Sequence, residues 1–288
     1  MRPATALPRR AVWINGRLRR GEEATLSLFD RGARDGEGLF ETIRVYGGRP
    51  FAWSRHMERL VLSAAALGFP VPASPITLRA ALDELLHVEG FSDAVARLTV
   101  TRGIPGGIAG RATRTGAWVE VEPLAARLWR GTRAGVATVI VSKRPFEPGP
   151  LGCHKTTSRL AYHLAREEAR AVRADETLLA SPAGEVLEGS VSNVFAVTGG
   201  EVQTPPLASG ILPGITRSLV LGLCAAAGIT ARERTLTLAD LRGADEVFLT
   251  NSLQEVVPVG TLQDLVIPGR SVAGTLLAAY HAEVARDS

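Results

Sequence analysis

The order in which strand-like and helix-like hydrophobic patterns follow one another constrains this chain most strongly. AVWINGRL (residues 11–18) alternates as a strand and turns at Asn15-Gly16, a dipeptide suited to tight hairpins because both positions tolerate positive φ. LFETIRVYGGRPFAW repeats the scheme about Gly47-Gly48, with β-branched and aromatic residues on both sides. Next, SRHMERLVLSAAALG places Met57, Leu60, Val61, Ala64 and Leu67 at helical spacing, with Ser54 as candidate N-cap and Gly68 as stop. ITLRAALDELLHVEG follows the same grammar, and AVARLTVTRG and AWVEVEPL alternate as strands. Strands and helices mixed in this order predict an α+β domain built on an antiparallel sheet.

The pattern lapses into an Arg/Ala/Leu stretch over 123–133, the expected interdomain connection. Beyond it, GVATVIVS reads as a strand and TTSRLAYHLAREEARAV as a helix. ETLLASPAGEVLEGSVSNVFAVTGGEVQTP reads as short strands joined by Gly-rich turns, and ITRSLVLGLCAAAGI as a helix opening just past Pro213-Gly214. TLADLRGADEVFLTNSLQEVVPVG gives a short helix and a strand, and SVAGTLLAAYHAEVARD a closing helix.

Composition removes several classes of function. With 45% of its 288 residues hydrophobic, the chain can bury a core and is not intrinsically disordered. No apolar run approaches the roughly 20 residues a membrane span requires. The opening MRPATALPRRAVWING lacks the apolar stretch of a secretory signal, and two cysteines cannot frame a disulfide scaffold; a cytoplasmic protein is expected. Lys143 and Lys155 are the only lysines among 33 basic residues, the other 31 being arginine. A net charge of +4 without basic runs interleaved with aromatics argues against nucleic acid as a partner. Scarcity also narrows the chemistry: if lysine chemistry occurs here, there are two candidates.

The five histidines are scattered without metal-ligand spacing, so no metal is expected, and neither a GxSxG elbow nor a GxxxxGK[ST] loop is present. RGIPGGIAGR (102–111) is glycine-rich without clearly opening a helix, which suits a loop over a pocket better than a phosphate cradle. In LGCHKTTSRLAYHL, Lys155 stands at the expected strand-to-helix junction. There it is either an ordinary solvated lysine or an amine held neutral by the positive helix end, the form that attacks carbonyls. Glu188, in GEVLEGSVSNVF, lies between two apolar runs and must either reach solvent or pair with a cation. Gly214-Ile215-Thr216 opens a helix whose backbone N–H groups and hydroxyl suit an anion; Asn251-Ser252 ends a strand with an amide and a hydroxyl; Arg59 offers a bidentate charged contact. Each also reads as a cap, a turn or a solvated side chain. An anion at a helix start, a nearby lysine and a buried carboxylate together would make a pyridoxal 5'-phosphate site.

Taken in order, FDRGARDGEGLFETIRVYGG, HMERL, HKTTSRL, LEGSVSNVF, GILPGITR and TNSLQEVVPV resemble the fold type IV pyridoxal-phosphate enzymes, which include branched-chain and D-amino-acid aminotransferases, (R)-selective amine transaminases and aminodeoxychorismate lyases. The resemblance spans about Val12 to Gly260. It implies a two-domain α/β fold: a small N-terminal domain over 1–122, a linker over 123–133, and a larger domain over 134–288 carrying the cofactor lysine, with pyridoxal phosphate at the domain interface. It implies a homodimer whose sites borrow residues from the partner. By the same resemblance Lys155 forms the Schiff base and removes the substrate Cα proton, and Glu188 faces the ring nitrogen. Arg59, Ile215, Thr216 and Ser252 hold the phosphate, and Leu212 packs on the ring. Phe40, Arg102 and Asn251 line the substrate pocket.

Departures from the family pattern narrow the subfamily. Leu160 stands five residues after the lysine, where branched-chain aminotransferases carry tyrosine, which argues against that specificity. Five residues after Arg102, where D-amino-acid aminotransferases place a carboxylate-trapping arginine, is Gly107; Arg111 offers a substitute from a longer loop. Asp35 replaces a common aromatic. The first expectation is a class IV aminotransferase acting between an amino acid or amine and a 2-keto acid. The second is a lyase releasing pyruvate and 4-aminobenzoate, and the third, from another class, a noncatalytic binding protein.

Overall fold

The computed structural model describes residues 10–68, 70–106 and 112–287, so Gly107 and Arg111 lie outside the described residues. The chain divides into two compact units. One runs to Arg127 and also takes in Lys155–Ser158; the other comprises Leu128–His154 and the chain from Arg159 onward. Among the described residues no helix is long and apolar enough to cross a membrane.

In the first unit, strands β1 (Ala11–Ile14), β2 (Arg17–Arg20), β3 (Gly38–Tyr46), β4 (Arg49–Pro50), β5 (Ala94–Pro105) and β6 (Ala112–Pro123) form one antiparallel sheet, ordered β2-β1-β6-β5-β3-β4. The expected hairpin closes at Asn15 and Gly16, whose φ angles of 48° and 89° are those the turn demands. Helix α1 (Arg31–Arg34) is a single turn capped by Asp30, whose carboxylate accepts from the Gly32 N–H. Helices α2 (Trp53–Ala66) and α3 (Pro75–Glu89) cover one face of the sheet. Ser74 caps α3 and Gly90, at φ 68°, ends it. Ser54 is not the cap of α2: the cap lies two residues earlier, at Ala52 in the left-handed region, where the Phe51 N–H is already bonded to the Arg44 carbonyl. Alternation along β3 and β5 sends Leu39, Ile43, Val45, Ala96, Leu98 and Val100 into a core with Met57, Leu60, Leu78, Leu82 and Leu85.

Lys155–Ser158 completes this unit at the start of β3. The Phe40 N–H donates to the Lys155 carbonyl at 2.9 Å, the Thr157 N–H donates to the Gly38 carbonyl at 2.8 Å, and Leu39 pairs with Thr156. Gly38 permits this approach, since a Cβ there would meet Thr157 Oγ1 at 2.8 Å. Chain order assigned Lys155 to the C-terminal domain; by its contacts the lysine goes with the first unit.

The second unit opens with β7 (Ala137–Val141) and α4 (Leu160–Ala171), followed by β8 (Glu176–Ala180), β9 (Glu185–Gly189), β10 (Asn193–Thr198) and β11 (Glu201–Thr204). Helix α5 (Ile215–Ala226), β12 (Ala231–Glu233), β13 (Leu236–Thr237), α6 (Leu238–Arg242), β14 (Glu246–Asn251), β15 (Glu255–Leu262), β16 (Leu265–Val266) and α7 (Ser271–Arg286) complete it. Its mixed sheet is ordered β12-β11-β10-β14-β15-β7-β8-β9-β13, with β16 beside β15. Both faces are apolar at the centre. Val194, Ala196, Val247 and Leu249 enter one core; Phe195, Val197 and Phe248 enter another beneath Val220 and Cys224 of α5 and Leu276 of α7. Phe195 and Phe248, directly opposite in register, stack with centroids 4.7 Å apart.

Helix α4 starts at Leu160 behind Arg159, so Thr156–Arg159 is not helical as expected; Thr156 and Thr157 are engaged with β3 instead. Burial predicts how α3 responds to truncation. Leu82→Ala, at a site with no exposure, should lower unfolding free energy by about 2–5 kcal/mol. Ile76→Ala, 82% exposed on the same helix, should change it by less than about 0.5 kcal/mol. Urea denaturation of both variants checks the contrast.

Candidate active site

In the first unit, β3 contributes two side chains of opposite parity. Phe40 lies under two cations: Lys155 Nζ is 4.7 Å from its ring centroid and the Arg97 guanidinium carbon 3.8 Å. Glu41 shares the helix-facing parity of Leu39 and Ile43 and is buried, so its charge needs partners. Arg59 supplies a bidentate one, Nε to Oε1 at 2.8 Å and Nη2 to Oε2 at 2.6 Å. His56, one turn earlier on α2, meets Oε2 through Nδ1 at 2.7 Å. Burial pushes the Glu41 carboxyl up, but the Arg59 charge and the bonds from His56 and Arg59 outweigh it and bring the pKa from 4.5 down to about 2. Burial pushes His56 below 6.5 against the pull of Glu41, with the Arg59 and Lys155 charges adding to the fall, so the ring is neutral and donates from Nδ1.

Arg102 is engaged within the first unit. Its guanidinium bonds the Glu37 carboxylate and the Leu67 and Gly68 carbonyls, closing the C-terminal end of α2. Lys155 is not at a helix N-terminus: α4 begins five residues later, and the lysine occupies an extended segment beside β3. The helix-dipole argument for its amine therefore falls; its Nζ and the Arg97 guanidinium both lie against the Phe40 ring.

In the second unit, Glu188 is 3% exposed near the end of β9. The Tyr162 O–H donates to Oε1 and the Leu212 N–H to Oε2, each at 3.1 Å. Leu212, expected to pack on a ring, thus also anchors the acid through its backbone. Ile215 opens α5 behind Gly214, and no side chain caps that helix. Asn193 explains the glycine: its Nδ2 donates to the Leu212 carbonyl, and a Cβ on Gly214 would meet its Oδ1 at 2.0 Å. Thr216, in the first turn, is buried. Asn251 Oδ1 accepts from the Leu253 and Gln254 N–H groups, shaping the turn that carries Ser252 rather than presenting its carbonyl to a ligand.

Five residues were missed in the sequence: Glu41, His56, Arg159, Tyr162 and Glu176. Glu41 had a visible signal, an acid at an inward position of an apolar strand, and His56 with Arg59 an i,i+3 spacing on one helix. Glu176, buried, accepts from the Ser190 and Val191 N–H groups and from the Ser190 and Ser192 hydroxyls, and so shapes the turn after Glu188. Leu160, at the position of the family tyrosine, is 72% exposed.

These residues suit pyridoxal phosphate. The first unit offers an amine at Lys155; the second offers a buried carboxylate at Glu188 and, at α5, a helix start without a side-chain cap. Among the described residues no group of three or more His, Cys, Asp or Glu side chains could hold a metal ion.

Comparison with known proteins agrees. Residues 38–262 match the amino-transferase class IV family, and the chain belongs to it. A Methanocaldococcus jannaschii protein, provisionally named a branched-chain-amino-acid aminotransferase, is 34% identical, with 91% of each chain covered. D-alanine aminotransferase of Bacillus licheniformis is 32% identical with 92% of each covered, and aminodeoxychorismate lyase of Bacillus subtilis 30% identical with 88% of this chain and 87% of that one. The PLP-bound structure of a hypothetical aminotransferase from Mycobacterium tuberculosis superposes with a TM-score of 0.85 at 26% identity, covering 96% of this chain and all of that one. The fold is that of the fold type IV pyridoxal-phosphate enzymes.

The buried triad fixes a pH dependence. Glu41 titrates lower folded than unfolded, so its contribution is complete above pH 4.5 and is lost as pH falls from there to about 2. The shift corresponds to about 3 kcal/mol. His56, also lowered on folding, works in the same direction from about pH 6.5 downward. Glu41→Gln should therefore be less stable at neutral pH and lose much of the decline between pH 4.5 and 2. A melting-temperature profile as steep as wild type over that range would contradict the assignment.

Proposed function

We propose that this protein is a pyridoxal-phosphate-dependent aminotransferase that moves an amino group between an amino acid or amine and a 2-keto acid. The observation that carries the reading is Lys155. One of two lysines in the chain, it is tethered through backbone hydrogen bonds to β3 and lies beside an aromatic ring. Pyridoxal phosphate, when bound, supplies an electron-withdrawing ring that accommodates the charge left when a substrate Cα loses its proton.

The chain's own residues do the rest. Lys155 holds the cofactor and moves the proton at the substrate Cα. Glu188, which accepts from the Tyr162 hydroxyl and the Leu212 N–H, keeps a proton on the ring nitrogen. The start of α5 with Ile215 and Thr216, together with Ser252 and Arg59, binds the phosphate, and Glu41 orients Arg59 for that contact. Leu212 supports the ring and Phe40 lines the space for substrate. The lysine is also the reason for preferring an enzyme to a noncatalytic binder: its backbone is fixed to β3 and its amine lies over the Phe40 ring. The same reading makes the enzyme a cytoplasmic homodimer, in keeping with its two free thiols, Cys153 and Cys224, and with the family it belongs to.

Borohydride reduction followed by peptide mapping should label Lys155 and leave Lys143 unlabelled. Lys155→Ala should lose amino exchange by about 10²–10⁴-fold or more, while Lys143→Ala retains it. Exchange is assayed with each enantiomer of alanine and a 2-keto acid, which also assigns stereochemical preference. Release of pyruvate from aminodeoxychorismate without any amino exchange would overturn the aminotransferase reading in favour of the lyase.

A further inference from the structure

A carboxylate anchored at one oxygen can still rotate; anchored at both, its plane is fixed. Glu188 is anchored at both, but its two donors differ in kind. Leu212 gives a backbone N–H, whose direction follows from the chain. Tyr162 gives a side-chain hydroxyl from the first turn of α4, which is only as firm as the ring that carries it.

That ring is held from two directions. The Arg159 guanidinium carbon lies 3.4 Å from its centroid, and Phe146 packs edge-on with centroids 4.9 Å apart. Arg159 is itself fixed, since its Nη2 donates to the Ser190 carbonyl at 2.8 Å. Ser190 belongs to the turn that Glu176 organises through the N–H groups of Ser190 and Val191 and the hydroxyls of Ser190 and Ser192. The contacts thus form a closed circuit: Glu188 leads into the turn, the turn holds Arg159, Arg159 holds the Tyr162 ring, and Tyr162 returns to Glu188. Burial, with the Glu188 charge adding, holds the phenol well above its ordinary range, so it stays protonated and donates.

We propose that Tyr162, clamped by Arg159, is a positioning residue for Glu188, fixing the plane of the carboxylate that meets the cofactor's ring nitrogen and so how firmly that nitrogen keeps its proton. This rests on the reading of Glu188 as the partner of the ring nitrogen. No pattern in the sequence announces it: Tyr162 stands seven residues after Lys155, on the exposed-to-buried margin of an amphipathic helix.

The test uses holoenzyme loaded with pyridoxal phosphate carrying ¹⁵N in the ring, whose chemical shift reports protonation of that nitrogen across a pH titration. Tyr162→Phe keeps the ring and its stacking on Arg159 but removes the donor. It should release the ring proton at a pH about one unit lower, a tenfold change in that equilibrium. In the amino-exchange assay it should lower kcat by about tenfold with KM within about twofold. Arg159→Gln, which loosens the clamp and leaves the hydroxyl, should shift the titration the same way by less. A merely structural role would lower the melting temperature and leave the ring titration where it is in wild type. Glu188→Gln separates the two layers of the argument. If its ring nitrogen titrates as in wild type, the reading of Glu188 fails. If it loses its proton throughout while Tyr162→Phe and Arg159→Gln both titrate as wild type, the positioning role of Tyr162 is overturned.

Discussion

Hydrogen-bond donors that replace water around buried carboxylates underlie both units of this protein. Glu41, Glu176 and Glu188 are each at most 3% exposed, and each is met by a set of donors suited to an anion. An isolated carboxylate at such depth would protonate or drag its segment to the surface. Glu41 draws Arg59 and His56 of α2 onto β3. Glu176 gathers the backbone and hydroxyls of the turn after β9. Glu188 takes one donor from α4 and one from the strand-like approach to α5. In every case the donor set also fixes something the site requires: the arginine, the turn, or the orientation of the acid. Removing any of the three acids would leave its donors unmatched, an effect larger than the loss of one hydrogen bond.

Much of the architecture could be read from punctuation and periodicity. Asn15-Gly16 and Gly90 mark their turn and helix end by local chemistry, and the structure keeps them. Two local readings failed where a longer-range contact decided the outcome. Ser54 looked like a cap, but with Phe51 bonded to Arg44 the chain enters α2 two residues sooner. Thr156–Arg159 looked like the first turn of α4, but β4 pairs only with Val45 and Tyr46 and leaves the Gly38–Phe40 edge of β3 open. Unpaired edge groups need partners, and the residues beginning at Lys155 provide them.

The site was readable to the extent that chemistry concentrates in rare residues. Lys155 stood out because arginine fills nearly every other basic position, and Glu188 because an acid between two apolar strands requires a reason. Tyr162 and Arg159 carried no such mark. On an amphipathic helix a tyrosine satisfies the pattern whether or not its hydroxyl has a partner, and its ring contact is with Arg159, the residue just outside the helix. Arg102, placed by a family-like motif, bonds Glu37 and the carbonyls at the end of α2, contacts that no local pattern announced.

Strand β3 ties the first unit's stability to its chemistry. Its odd-numbered residues Leu39, Ile43 and Val45 enter the core, and Glu41 on the same parity reaches Arg59; its even-numbered Phe40 lies under Lys155. Because side chains alternate with a period of two, a one-residue slip would turn Phe40 toward the helices in place of Leu39 and turn Glu41 away from α2. Register is therefore not a detail of packing here. It is held by the continuous pairing of β3 with β5, from Gly38 opposite Thr101 to Val45 opposite Ala94, and on its other side by the short segment that begins at Lys155. The lysine is thus placed by the same strand whose alternation places the arginine's partner, and a sequence that preserved one while shifting the other would have to give up the hydrophobic core between them.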